Sequence, residues 1–325
     1  MLQTQTPTSA PPYPMERRLP ACIMGRGLPV RNRGWARRPA LLFSALLLVL
    51  LLPLIACKKK EPPVSANEVK ALVRTTLPST LEDKIWTEAP LHQATMILQD
   101  MVEPRLLTPS TAQVKVQSIT DGRKVAFRMQ WDDATLDDLP GPARFTDACA
   151  VQLPAKVEAD VPAPQMGEAG RLVEITYWSA SWQAMVNGHA DRIESYFPHA
   201  KVDHYPFESP SLKPGSPEQV AMAKRYAPAR ALENNLAGPR QQPVQDLIAE
   251  GPGSLRPAQR SLSNGIGKRT EKGWDVLIVR TLPSSAQPVT RSQVAFAVWE
   301  GSKLEVGSRK MRTAWIPFAI QEGGK

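Results

Sequence analysis

Cysteine is scarce in this chain of 325 residues, with three copies at positions 22, 57 and 149. Three cysteines cannot build a disulfide framework or a cysteine-based zinc site. The sequence also lacks a GxSxG elbow, a Walker loop, a GxGxxG motif after a strand and an HExxH motif. A CxxCH motif is absent as well, which excludes covalent haem attachment. We therefore predict that the protein is not an enzyme, because it has no catalytic constellation of its own.

Acidic residues are almost missing from the first 56 residues, which hold one Glu against seven Arg. The whole chain carries a net charge of +9, but the 269 residues that follow this segment carry only +3. The basic character therefore belongs to a leader, and it predicts no nucleic-acid partner. A hydrophobic content of 42% and a charged content of 22% are typical of a folded globular protein, and 32 Pro argue against a helix bundle.

The leader contains an apolar run of 17 residues at positions 40–56, preceded by arginines that include Arg37 and Arg38. A positive segment followed by an apolar one is the pattern of a secretory signal. The run is short for a membrane span and contains Pro53. It ends in Leu-Ile-Ala-Cys57, which resembles the lipobox of bacterial lipoproteins, in which the cysteine is acylated. We predict a signal peptide of lipoprotein type over residues 1–56 and lipidation at Cys57.

Residues 57–65 are polar and rich in lysine, and they predict a tether that holds a folded domain away from a membrane. The protein is then an exported, membrane-anchored lipoprotein that faces the periplasm or the cell surface. The alternative is an uncleaved signal anchor in which Cys57 has no role. If translation started at Met15 or Met24, the leader would have a more usual length.

From residue 112 onward the hydrophobic pattern has period two. Two alternating segments flank Asp121-Gly122, which predicts a β-hairpin over residues 112–131. The second strand is expected to present one apolar face formed by Val125, Phe127, Met129 and Trp131.

Further strands are predicted at 171–183, at 273–282 paired with 292–301, and at 308–320. Helical spacing marks residues 67–77 and 217–235. Strands grouped in hairpins, without regular alternation with helices, predict a mainly β fold. We expect an antiparallel β-sandwich with a few short helices, formed by one domain over residues 66–322.

Four short stretches together resemble one known family. They are WDD at 131–133, FTDACAVQ at 145–152, PQMG at 164–167 and AFAVWEG at 295–301. The chain is similar to the haem-binding family that contains cytochrome c-552 and the gamma subunits of dimethyl sulfoxide reductase-type enzymes such as ethylbenzene dehydrogenase. This resemblance implies a β-sandwich that holds one non-covalent haem b between an axial Met and an axial Lys.

The resemblance also assigns candidate ligands. The family's methionine matches Met166 within PQMG. The stretch expected to carry the lysine holds Arg230 instead, and a guanidinium has no lone pair to give to iron. Lys224, on the same helical stretch, is then the candidate for the second ligand, and Lys310 is the alternative. His189 or His204 could also serve. A ligating lysine must be neutral, which requires an environment that lowers its pKa.

Two functions remain open at this stage. The resemblance implies a one-electron carrier whose partners are a molybdenum oxidoreductase with its iron–sulfur subunits, or another redox protein. The alternative is a haem-free β-sandwich that binds carbohydrate, with Trp178 and Trp182 exposed for stacking on sugars. Cys149 is expected to be a buried, inert thiol. The acidic pairs at 132–133 and 137–138 are expected to form a solvated strand end and turn.

Overall fold

The structure is a computed structural model that describes residues 61–189, 197–199, 212–213, 215–226, 229, 232, 234, 240–285 and 288–321. The predicted leader, Cys57, His204 and Arg230 lie outside the described residues. None of the helices in the described part is both long and apolar enough to span a membrane.

The described residues form fourteen strands, numbered in chain order, which lie in two sheets. The first sheet contains, in spatial order, β10 (Asn264–Arg269), β11 (Gly273–Thr281), β5 (Lys124–Asp132), β4 (Gln113–Thr120), β1 (Val69–Val73), β14 (Ile316–Gln321) and β12 (Arg291–Trp299), with β2 (His92–Thr95) also paired to β4. The second sheet continues from β12 through β6 (Ala148–Pro154), β7 (Val173–Ser179), β8 (Val244–Ala249) and β9 (Arg256–Pro257), and β13 (Met311–Arg312) joins β12 to β3 (Ile97–Leu98).

Strand β12 connects the two sheets. Its first half, Arg291–Val294, pairs with β14, and its second half, Ala295–Trp299, pairs with β6. Most pairs are antiparallel, and the exception within the sheets is β1, which runs parallel to both β14 and β4. The mainly β, mostly antiparallel fold predicted from the sequence is therefore confirmed.

The main core combines alternate residues of both sheets. The predicted apolar face of β5 is buried there in full, together with Val151 and Leu153 of β6 and with Trp178 of β7. The Phe127 ring lies 6.0 Å from the Phe296 ring and 5.6 Å from the Phe318 ring, measured between centroids. The hairpin is also confirmed, because β4 and β5 pair across a turn in which Gly122 has a φ of 87°.

Two local predictions were wrong. The strand predicted at 171–183 ends at Ser179, and the chain continues as helix α1 (Ala180–Val186), because residues 180–185 include the good helix formers Ala, Gln and Met. The helical spacing at 67–77 instead gives β1, whose Val69 and Ala71 are buried between two parallel neighbours. Tertiary pairing overrides the helical pattern there.

The late strands also differ from expectation. Strands β11 and β12 were predicted to pair with each other, but β11 pairs with β5 and β10, while β12 pairs with β14, β6 and β13. The closing segment 308–320 is divided into β13 and β14. The described part of the segment 217–235 begins with helix α2 (Pro217–Tyr226).

Candidate functional site

A cavity of about 730 Å³ lies against the second sheet, on the side opposite the main core. Successive side chains of a strand point to opposite faces, so the residues between the core positions form its floor. These floor residues are small or apolar: Ala150, Ile175, Leu247, Ala295 and Ala297. Three alanines leave space above the sheet for a bulky group.

An aromatic wall surrounds part of the cavity. The ring of Tyr177 lies 5.3 Å from the rings of both Trp182 and Trp299, each in an edge-to-face arrangement, and all three line the cavity. Burial raises the pKa of Tyr177, so its hydroxyl stays neutral. A large apolar cavity with few polar groups is the usual form of a cofactor or ligand site.

Met166 reaches this cavity from the loop between β6 and β7. Its backbone is left-handed, with a φ of 68°, which is uncommon for a residue with a side chain. The loop holds this conformation through two bonds: Gly251 N donates to the Met166 carbonyl at 2.8 Å, and Gly167 N donates to the Ala163 carbonyl at 2.9 Å. Such backbone strain is concentrated at functional sites.

Lys310 lines the same cavity from the position just before β13. Its Nζ lies 5.0 Å from the centroid of the Trp299 ring. Burial, and then the positive charge of Arg312, lower the pKa of Lys310 to about 8. The side chain is half-buried by surface area because it faces the cavity, while protein encloses it on its other sides. No carboxylate in the described part of the chain forms an ion pair with it.

The structure thus brings Met166 and Lys310 to one cavity, and it does not bring Lys224 there. Lys224 is exposed on α2, and His189 is not among the residues that line the cavity. In the sequence, Lys310 and Arg312 alternate with the apolar Met311, which is the pattern of a strand with one charged face. Because Met311 and Arg312 do form strand β13, the pattern favours Lys310 over Lys224 as the second candidate ligand.

The predicted exposure of Trp178 was wrong. This side chain is fully buried in the main core, where its ring lies 5.0 Å from the Trp274 ring and 6.3 Å from the Trp131 ring. Trp182 is half-buried at the cavity. Cys149 is buried, as predicted, and burial raises the pKa of its free thiol.

Three carboxylates form a second cluster away from the cavity floor. Oxygens of Asp133, Asp147 and Glu300 lie within 4.8 Å of one another, and all three side chains are buried. The expected solvation of the acidic pair at 132–133 is therefore wrong for Asp133, which is 5% exposed. The cluster unites three of the stretches that carried the family resemblance, WDD, FTDACAVQ and AFAVWEG.

Asp147 is the centre of this cluster. Its carboxylate accepts hydrogen bonds from Trp274 Nε1 at 2.9 Å, from Asp137 N at 3.0 Å and from Gly301 N at 2.9 Å. Burial, with a contribution from the Asp133 charge, nevertheless raises the pKa of Asp147 to about 7. Three chain segments meet at this one side chain, so it serves the fold.

A family model described as Ethylbenzene dehydrogenase matches residues 83–311, which is more than half of the chain. A protein of Haloferax mediterranei named "Putative respiratory nitrate reductase heme subunit ORF7" is 22% identical over 268 residues, covering 80% of this chain and 75% of that protein.

Two solved structures of a family 9 carbohydrate-binding module from Caldicellulosiruptor kristjanssonii, one with cellotriose and one with glucose, also match. Each match covers 80% of this chain at 8% identity, and it covers 95% and 98% of the module with TM-scores of 0.38 and 0.33. These values are too low to indicate what this chain binds. The family match, which spans the segment carrying both Met166 and Lys310, decides the relationship: the chain belongs to the ethylbenzene dehydrogenase family.

Proposed function

We propose that this protein is a haem-binding electron-transfer subunit that serves a molybdenum oxidoreductase of the dimethyl sulfoxide reductase type. The family match and the name of the Haloferax relative support a haem subunit. The observation that carries the proposal is the presence of Met166 and Lys310 in the wall of one apolar cavity. The cavity would hold one haem b without a covalent bond.

The residues of the cavity fit this group. A thioether and a neutral amine are both competent ligands for haem iron, and the alanine floor and aromatic wall suit a flat apolar macrocycle. When bound, the haem supplies one-electron chemistry, and a thioether ligand favours its ferrous state. The chain supplies the two ligands, the exclusion of water and the surface that meets a redox partner.

Lys310 is the better candidate for the second ligand. An amine can bind iron only after losing its proton, and the cavity already lowers the pKa of Lys310 to about 8. Lys224 is exposed on α2 and does not line the cavity. The proposal therefore pairs Met166 with Lys310.

Export and membrane attachment complete the proposal. The apolar run at 40–56 and the lipobox-like end at Cys57 support a lipid-anchored protein whose folded domain lies in the periplasm or at the cell surface. This location would place the domain beside a respiratory partner.

Absorption spectra test the cofactor. The purified protein, oxidised and reduced with dithionite, should show a Soret band and sharp α and β bands, and a pyridine haemochrome assay should give haem b. Lys310→Ala should change the absorption spectrum of the bound haem, because one of its two proposed ligands would be missing, whereas the control Lys224→Ala should leave the spectrum unchanged.

Two results would contradict the proposal. A colourless protein that cannot be reconstituted with haem would favour the haem-free binding module. A spectrum that changes in Lys224→Ala and not in Lys310→Ala would exchange the roles of the two lysines while leaving the haem site in place.

A further inference from the structure

Arg312 is a buried cation without an adequate partner. Its residue is 9% exposed, and its Nε has no hydrogen-bond acceptor in the described part of the chain. Among the described residues, the guanidinium makes one hydrogen bond, and it is a long one, from Nη1 to the Thr313 carbonyl at 3.5 Å. Asp100 acts on it only from a distance, since no described carboxylate forms an ion pair with it. A buried guanidinium left in this state is costly unless an anion completes the site.

Arg312 lies on the wall of the same cavity as Lys310. The residue between them, Met311, is buried in the main core, so strand alternation places Lys310 and Arg312 on the opposite, cavity-facing side. Two residues along a strand span roughly 6.5 Å. A ligand that binds the Lys310 side chain would therefore have other parts of its structure close to Arg312.

We propose that Arg312 binds a carboxylate of the haem, one of the two propionates at the edge of the macrocycle, and thereby fixes the orientation of the haem in the cavity. This inference rests on the proposed haem site. A planar guanidinium offers paired N–H donors that match a carboxylate, and the match is strongest away from water.

Another cation of the cavity competes for this role. Arg144 also lines the cavity, but its side chain is exposed, so its charge is already solvated and gains less from an anion. The carboxylate should therefore prefer the buried Arg312. The difference in burial between the two arginines provides the control for the experiment.

The test compares haem b with its dimethyl ester, which has no free carboxylate, on the full protein and on the Arg312→Gln and Arg144→Gln variants. The wild type should bind the ester about 10- to 100-fold more weakly than haem b, the range of a hydrogen bond to a charged group. Arg312→Gln should bind haem b more weakly by a similar factor and should no longer distinguish it from the ester. The absorption spectrum of haem bound to Arg312→Gln should match that of the wild type, because the proposed ligands Met166 and Lys310 are still present.

The outcomes separate this inference from the proposed function. If the wild type binds neither porphyrin, the haem site itself is wrong. If the wild type binds both equally, or if Arg144→Gln rather than Arg312→Gln abolishes the discrimination, the haem site stands and the role of Arg312 is refuted. The wild-type comparison needs no variant, so equal binding of the two porphyrins would refute the role of Arg312 even if Arg312→Gln fails to fold.

Discussion

Met166 combines a thioether sulfur, the candidate ligand atom, with a strained backbone. A left-handed conformation at a residue with a side chain costs on the order of 1 kcal/mol, and the loop maintains it through backbone hydrogen bonds to Gly251 and Ala163. Gly167 must remain glycine as well, because an added Cβ would lie 2.7 Å from the Arg171 carbonyl oxygen. This loop therefore directs one side chain into the cavity at the expense of local stability.

Replacing Met166 tests its role at the iron. Met166→Ala should weaken haem binding and lower the midpoint potential, because one bond to iron and the stabilisation of the ferrous state are lost. Met166→His should keep six-coordinate haem at a lower potential. Redox titration and circular dichroism of both variants measure the effect and check the fold. An unchanged spectrum and potential in Met166→Ala would show that the side chain only fills space.

Asp147 makes stability depend on pH. Its pKa is about 7 in the folded protein and close to 3.8 when unfolded, so the folded state binds more protons between these values. The free energy of unfolding should therefore fall as the pH rises from about 4 to 7, by up to a few kcal/mol, and then level off.

Urea unfolding of the wild type and of Asp147→Asn at pH 5, 6, 7 and 8 measures this dependence. The variant should be less stable at pH 5, because its amide cannot accept all three hydrogen bonds, and its stability should change less with pH. A wild-type stability that increases between pH 5 and pH 7 would contradict the assignment.

At the scale of elements, α1 and β10 are joined through one glycine. Gly267 N donates to Gln183 Oε1 at 2.7 Å, and the same oxygen accepts a longer bond of 3.4 Å from Trp178 Nε1. The Trp178 ring packs flush against the Gly267 backbone, so an added Cβ would lie 2.6 Å from its Cε2 atom. The edge of the first sheet thus closes over the end of β7.

Gly267→Ala should accordingly lower the free energy of unfolding by about 1–3 kcal/mol, the usual cost of overpacking a core. Gly141→Ala is the matched control, since its added Cβ would meet only the Arg144 side chain, whose nearest atom, Cδ, lies at an ordinary 3.5 Å. Thermal unfolding followed by tryptophan fluorescence compares the two. Equal melting temperatures would mean that the Trp178 ring moves aside for the added methyl group at little cost in stability.

The sequence predicted elements well where its local signals agreed with one another. The hairpin of β4 and β5 was predicted because alternation and turn chemistry agreed at Asp121-Gly122. Strand β1 was not, because its helical spacing is overridden by parallel partners that are distant in the chain. The end of β7 was missed because residues 180–183 remain apolar enough to extend a strand. Pairing partners such as those of β11 depend on topology, which periodicity does not contain.

At the scale of the whole molecule, the proposed attachment to a membrane depends on Cys57. Cys57→Ser should prevent acylation and leave either an uncleaved precursor or a protein released from the membrane fraction. Mass spectrometry of the mature form and detergent extraction measure the change, with Cys149→Ser as the control because that thiol is buried. An unchanged mass and unchanged extraction in Cys57→Ser would refute the lipid anchor.

The site could be predicted only in part from the sequence. Met166 was found through its family motif, and Lys310 was identified as one of two lysines, but nothing in the pattern showed that they share a cavity. Strands β7 to β12 lie between the two residues along the chain. The two residues meet because β12 passes from one sheet to the other. Arg312 was missed altogether, because an arginine on a strand is ordinarily solvated.

The position of the cavity has a consequence for how the protein matures. Its floor is the outer face of the second sheet, while Phe127, Phe296 and Trp178 close the main core on the other side without any help from it. If the proposed haem site is right, the chain should therefore fold first and acquire its porphyrin afterwards, in whichever compartment provides the porphyrin. Empty, correctly folded molecules would then be an expected intermediate that is ready to be loaded.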